Sequence, residues 1–241
     1  MRLSVVVPAF NEERLLGACL EKILLSRPEF EARGWAFELV VCDNNSTDRT
    51  AEIARQAGAR VVFEPVNQIS RARNAGARAA SGDWLVFVDA DSTVSPALFE
   101  EVAEEIQGGR VLAGGATVAF AQAPLAPRAV LALWNLASRM GRWAAGSFMF
   151  VEAAAFRAVG GFSEELFASE ELDLYRRLKR LARRDGRRIV ILHRHPIVTS
   201  ARKVALYGWG ELCAFVLKVI LRPRKTLRSR DACYSWYDGR R

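Results

Sequence analysis

Histidine and cysteine are scarce in this chain: two and four, respectively, in 241 residues. The cysteines, Cys19, Cys42, Cys213 and Cys233, are scattered, with no C-x-x-C pair. That pattern speaks against a disulfide framework or a zinc site and fits reduced thiols in a cytoplasmic protein. A long uninterrupted apolar run is also missing. The apolar stretch Val204 to Leu221 is broken by Glu211 and Lys218, which argues against a lipid-spanning helix. The apolar run at the N-terminus is too short for a signal-peptide core and is soon followed by Pro8 and two acids. No internal repeat is found. Net charge is +8, but residues 196–241 carry ten Lys or Arg against three Asp or Glu. The remainder is near neutral, unlike a nucleic-acid binder with basic charge throughout. The basic end fits an anionic membrane surface, a phosphorylated lipid or a solubility role.

Half the residues are hydrophobic, enough for a sizeable core. Strand and helix patterns alternate through the first half. Leu3 to Val7 reads as a buried strand and Asn11 to Ser26 as a helix. Strands follow at 37–43 and 59–65, with a helix between them capped by Ser46 or Thr47 and stopped at Gly58. A helix at 69–82, a strand from Trp84 to Val88 and a Ser95-capped helix from Pro96 to Gln107 complete the series. Such alternation predicts an α/β fold, a Rossmann-like, mainly parallel sheet flanked by helices. Further on, strands are expected at 114–122, 146–151 and 188–192, helices at 127–143 and 169–186, and a turn at 160–162. Residues 204–221 read as an amphipathic helix, either packed on the domain or lying on a membrane. The basic end beyond it is expected to be poorly ordered.

The strand Trp84 to Val88 runs straight into Asp89 and Asp91. Burying two carboxylates would be costly, but parallel strands all end at one edge, where ligands bind. Pro8, Ala9, Phe10 and Glu12 follow the first strand and Asp43 ends the second, so they reach the same rim. Acids gathered there repel one another unless a cation lies between them. With no His or Cys nearby in sequence, a hard ion such as Mg²⁺ or Mn²⁺, completed by substrate phosphates, suits the set. The plainer alternatives are helix capping or an Asx turn by Asp89 and Asp91, and an N-cap role for Asp43.

The segments VVVPAFNEE, VVCDNNSTDRT, ARNAGARAASGDWLVFVDAD and GGFSEELFASEELDLYRRL resemble, in order, the successive motifs of family 2 glycosyltransferases of the GT-A fold. The resemblance implies a nucleotide-diphosphate-sugar donor, UDP- or GDP-linked, and a divalent metal held by the D-x-D. It implies that Pro8, Ala9, Phe10 and Glu12 border the nucleoside and that Asp43 accepts from the base. Asp89 would lie near ribose and metal, and Asp91 would be the metal ligand at the diphosphate. Arg71 and Arg73 point about 200° apart on a helix, so both cannot reach the phosphates. Arg73 lies in the matching ARN and is taken as the donor contact, against the alternative of a solvated surface arginine.

The family's general base is the Asp of an ED pair opening a helix after a GGF turn. Here Glu170 and Glu171 stand there, with Glu171 at the Asp position. The extra methylene leaves open which glutamate is the base and whether transfer inverts; both could merely complement the helix dipole. His195, in H-x-H with His193, is either a late metal ligand or a structural histidine. Trp134 and Trp143 fall where such enzymes bind acceptors, or are core. The implied division is 1–200 for the GT-A domain, with 1–92 the nucleotide-binding half and 93–200 the acceptor and catalytic half. Residues 201–241 are expected to form an amphipathic helix and basic tail. The expected activity is metal-dependent transfer to an acceptor hydroxyl or lipid phosphate. Alternatives are a polyprenyl-phosphate sugar synthase at the membrane surface, a non-catalytic nucleotide-sugar module and two-metal nucleotidyl transfer. The expected location is cytoplasmic, or peripheral at the inner face of the membrane.

Overall fold

The computed structural model describes residues 1–121, 124–200, 223–233 and 237. Among these residues eight strands form one sheet: β1 (Arg2–Ala9), β2 (Ala36–Asp43), β3 (Arg60–Phe63), β4 (Trp84–Val88), β5 (Ser92–Thr93), β6 (Val111–Phe120), β7 (Phe148–Glu152) and β8 (Arg188–Thr199). Their order across the sheet is β3-β2-β1-β4-β7-β6-β8-β5. The pairings run β3, β2, β1, β4, β6 and β8 the same way, while β7 and β5 are reversed. The expectation of a mainly parallel sheet holds, with the reversals confined to the second half.

Helices cover both faces. They are α1 (Leu16–Leu24), α2 (Arg27–Glu31), α3 (Thr50–Gln56), α4 (Ile69–Ala79), α5 (Pro96–Gln107), α6 (Leu125–Gly141), α7 (Ala153–Ala158), α8 (Glu170–Arg184) and α9 (Pro223–Leu227). Every residue of β4 is buried because it lies mid-sheet between two apolar layers. One layer holds Val86, Val88, Leu98 and Phe99, the other Leu85, Phe87, Phe156 and Phe162. On that second face α4 sits tight against β1, where any side chain at Gly76 would overlap Val6. α5 begins as the sequence indicates: the Ser95 hydroxyl accepts from the Leu98 amide at 3.2 Å.

Several local expectations are corrected. Residues Asn11 to Leu15 are a loop, since Asn11 takes a left-handed backbone (φ 51°) to bond the neighbouring loop. Neither Ser46 nor Thr47 caps α3. The Ser46 hydroxyl instead accepts from the Asn11 amide (3.0 Å), and the Thr47 amide donates to the Asn11 side chain (2.8 Å). Asp48 takes over at the helix start, accepting from the Thr50 amide at 2.9 Å. The last strand continues past residue 192 to Thr199, supported by parallel pairing to β6. The expected helix at 204–221 lies outside the described residues. The described part of the basic end is docked rather than loose: the Phe167 amide donates to the Leu227 carbonyl at 2.7 Å, and Cys233 and Tyr237 are buried beside Ala168.

Candidate active site

Sheet register brings the first candidates together. Ala9 pairs with Asp43 and Asp43 with Phe63, so the chain leaves β1, β2 and β3 at one level. Val88 pairs with Phe148 of antiparallel β7, which brings Gly146 and Ser147 to the same edge. The Asp89 amide donates to the Ser147 carbonyl at 3.2 Å. One cleft at this edge is lined by Pro8, Ala9, Phe10, Glu12, Asp89 and Asp91. Asn44, Asn67, Ile69, Ala72, Ala90 and Tyr237 complete its wall.

Asp91 is half-buried and oriented by Ser200, whose hydroxyl donates to its carboxylate at 2.9 Å. Ser95 caps α5, so neither aspartate is spent there. Asp43 is buried and accepts from the Ser46 amide, three residues on, at 3.0 Å; α3 starts too late for it to be an N-cap. It is not among the residues lining the cleft. Below the cleft the Cys19 thiol is pushed up to about 12, by burial and then by Asp91 and Asp89, which makes it inert.

Arg73 is only 1 % exposed, so it is not a surface arginine. Its guanidinium bonds the Glu170 carboxylate (2.6 Å), the Asp89 carboxylate (2.9 Å) and the Gly146 carbonyl (2.9 Å). Burial works against its charge, but the two carboxylates outweigh burial and keep it protonated. These bonds direct it into the protein, between the end of β4 and the start of α8. Arg71 points outward to Glu164 at 3.2 Å, as the helical angle requires. The next residue, Asn74, bonds both the amide and the carbonyl of Phe162 at 2.9 Å. Phe162 follows Gly160 and Gly161, whose left-handed backbones (φ 81° and 67°) make the turn that glycine favours. Arg73 and Asn74 thus clamp the turn and the head of α8 to α4 and the end of β4.

Glu170 is buried against Arg73, while Glu171 beside it is half-buried. Burial first, then the charge of Glu170, raises the Glu171 carboxyl to about 8, and Arg73 partly opposes the rise. Asp173 is occupied by Arg176 and Arg177. His195 lies on β8 and contacts Glu101 of α5 at 2.5 Å, so its described partner is not in the aspartate cleft. Trp143 is exposed and stacks under Lys179, 4.7 Å from its ring centre; Trp134 is half-buried.

Tyr237 was not legible as a site residue. Its hydroxyl donates to the Phe167 carbonyl at 3.0 Å, and its ring meets Phe167 edge-on. The C-terminal end therefore supplies part of the cleft wall. No periodicity or motif around it announces this.

Among the described residues no three His, Cys, Asp or Glu side chains gather closely enough to cage a metal. Two aspartates at a cleft nevertheless fit Mg²⁺ or Mn²⁺, which keep waters and take other ligands from phosphates. Asp89 and Asp91 are the side chains that would hold such an ion.

The sheet edge, the aspartate pair and the acid-headed α8 define the GT-A class of α/β fold. The chain belongs to Glycosyl transferase family 2, whose profile matches residues 4–152. A dolichol-phosphate mannosyltransferase of Pyrococcus furiosus is 32% identical over 120 residues, 48% of this chain and 33% of that one. The chain spans about a third of the length of the first relatives it matches. In fold it is similar to the mannosyltransferase PcManGT from Pyrobaculum calidifontis, solved with GDP-Man and Mn²⁺. The TM-score is 0.69 at 19% identity, covering 97% of this chain and 68% of that one. It is likewise similar to S. aureus TarS in complex with UDP-GlcNAc, with TM-score 0.63 at 18% identity, covering 98% and 69%.

Proposed function

We propose that this chain moves a sugar from a UDP- or GDP-linked donor to an acceptor hydroxyl or lipid phosphate, with inversion and with Mn²⁺ or Mg²⁺. The observation that carries the reading is the convergence of Pro8 to Phe10, Glu12, Asp89 and Asp91 on one cleft, tied through Arg73 to the glutamates of α8. The nucleoside lies along Pro8, Ala9, Phe10 and Glu12; Asp43 does not line the cleft and one of its carboxylate oxygens accepts from the Ser46 amide, so its proposed bond to the base falls to the other oxygen. Asp89 and Asp91 hold the ion, which when bound stabilises charge on the departing diphosphate. Arg73 serves as a positioning residue rather than a direct donor contact, because its bonds run to Asp89, Glu170 and Gly146. The same pairing occupies Glu170, so Glu171 is the base. It takes the proton from an acceptor hydroxyl as that oxygen attacks the anomeric carbon, and the sugar–diphosphate bond breaks on the opposite side.

The raised Glu171 carboxyl favours a second acceptor. Burial and the neighbouring Glu170 charge favour its protonated form, whereas a lipid phosphate attacks without losing a proton. The similarity to a dolichol-phosphate mannosyltransferase supports that choice. Such an enzyme would work from the cytoplasmic side, peripheral to the membrane. Among the described residues no helix is long and apolar enough to cross one.

The test is release of UDP or GDP from sugar nucleotides with Mn²⁺, with sugar alcohols or a polyprenyl phosphate as acceptor. Glu171→Gln should abolish transfer to hydroxyls and largely spare transfer to phosphate. Donor binding with no turnover on any acceptor would instead identify a binding module. Release of pyrophosphate would mark nucleotidyl transfer.

A further inference from the structure

An amphipathic helix on a soluble domain turns its apolar stripe inward. α6 also presents an apolar stripe outward. Its inner side is fixed to β6: the Val118 amide donates to the Asn135 side chain at 3.0 Å, and Asn135 donates back to the Val118 carbonyl at 2.9 Å. Leu131 packs toward the core from the same side. On the outer side Val130, Leu133, Leu136 and Met140 are exposed, Leu133 by 68 % and Met140 by 79 %. At 100° per residue they cover about 120° of the circumference, with exposed alanines among them. Trp143 follows just past the helix end, 40 % exposed. Large apolar side chains in one continuous exposed strip mark a contact surface.

Charge identifies the occupant. α6 contains no acid, and Arg128 and Arg139 leave the helix about 60–80° beyond Leu136, between the strip and the inward-facing Asn135. At its C-terminal end Lys179 stacks on Trp143 and donates to the Gly141 carbonyl. Arg142 and Arg183 stand close enough to oppose the Lys179 charge. An apolar strip, an interfacial tryptophan and a cluster of cations match a leaflet with anionic headgroups. A second copy would bring cations against cations with no acid on the helix to answer them.

We infer that α6 lies in the surface plane of an anionic membrane, with Leu133 and Met140 among the acyl chains and Arg139, Arg142, Lys179 and Arg183 at the headgroups. This contact site is distinct from the aspartate cleft and does not depend on the donor or acceptor assigned to it.

The experiment is co-sedimentation of the full chain with vesicles of phosphatidylcholine and phosphatidylglycerol at 7:3, and of phosphatidylcholine alone. The chain should bind the anionic vesicles preferentially. Leu133→Glu with Met140→Glu should weaken binding about tenfold or more, as should Val130→Asn with Leu136→Asn. Leu25→Glu, at another exposed leucine, should leave it unchanged. Thermal melting and Mn²⁺-dependent nucleotide binding, followed in parallel, should match the parent chain, which separates failure of this surface from failure of the cleft. Undiminished binding by both α6 pairs, no binding by the parent chain, or equal binding to neutral vesicles would overturn the inference. So would light scattering that shows a dimer dispersed by the α6 substitutions without any vesicle binding.

Discussion

Replacing Arg73 with methionine removes the cation between Asp89 and Glu170 while keeping much of the side-chain bulk. The Arg73 side chain is 2 % exposed and that of Glu170 5 %, so water cannot compensate the orphaned glutamate. Asp89, at 26 %, keeps some hydration and suffers less. Removing one partner of a buried pair costs about 3–5 kcal/mol. For a domain of this size that lowers the midpoint of thermal unfolding by roughly 6–20 °C. Removing both charges should cost less, so Arg73→Met with Glu170→Met should recover about 2 kcal/mol or more of the single-variant loss. Arg73→Lys retains the charge but not the fork that reaches two carboxylates and a carbonyl. It should fold, and it should lower kcat more than it raises donor KM, because the head of α8 is displaced while the cleft persists. Urea unfolding followed by tryptophan fluorescence, with steady-state kinetics, reads these quantities. A single-variant cost under about 1 kcal/mol without recovery in the double variant would refute the positioning role. So would an effect confined to donor KM, which would return Arg73 to direct donor contact.

Glu171 has a raised carboxyl, from 4.5 to about 8. The folded state therefore binds more protons than the unfolded state. The resulting stabilisation is full below about 4.5 and fades as pH rises through about 8. Glu171→Gln should flatten that stretch of the stability–pH curve, while transfer to a hydroxyl by the parent chain should climb over the same range. Tyr237→Ala should raise donor KM about fivefold, the loss expected for one aromatic wall contact; unchanged KM would remove the tail from the cleft. His195→Gln should leave the Mn²⁺ dependence of turnover unchanged, since His195 contacts Glu101; an altered metal requirement would place it at the ion.

Much of the fold was legible because local signals and burial agreed. Trp84 to Val88 is a bare apolar run, and mid-sheet β4 has those limits. Ser95 and Pro96 open α5 through a cap and a first-turn proline, both local chemistry. Gathering the residues after β1 and β4 needed only parallel strands, which alternation predicts. The clamp was less accessible. Helical angles separate Arg71 from Arg73, yet only the tertiary placing of Glu170 and Asp89 beside α4 decides that Arg73 turns inward. Ser46 and Thr47 have the composition of caps, but the neighbouring loop competes for them through Asn11. Tyr237 reaches the cleft through contacts some seventy residues distant in sequence, beyond any local pattern.

Asp89 and Asp91 would hold a divalent ion that supplies charge stabilisation to a nucleotide's diphosphate in the cleft they line. Isothermal calorimetry of UDP and GDP, with Mn²⁺ or with chelator, tests it most directly on the parent chain and Asp91→Ala. Mn²⁺ should strengthen binding of one nucleotide to the parent chain, and the alanine variant should lose this gain. Equal Mn²⁺-assisted affinity in both proteins would contradict it.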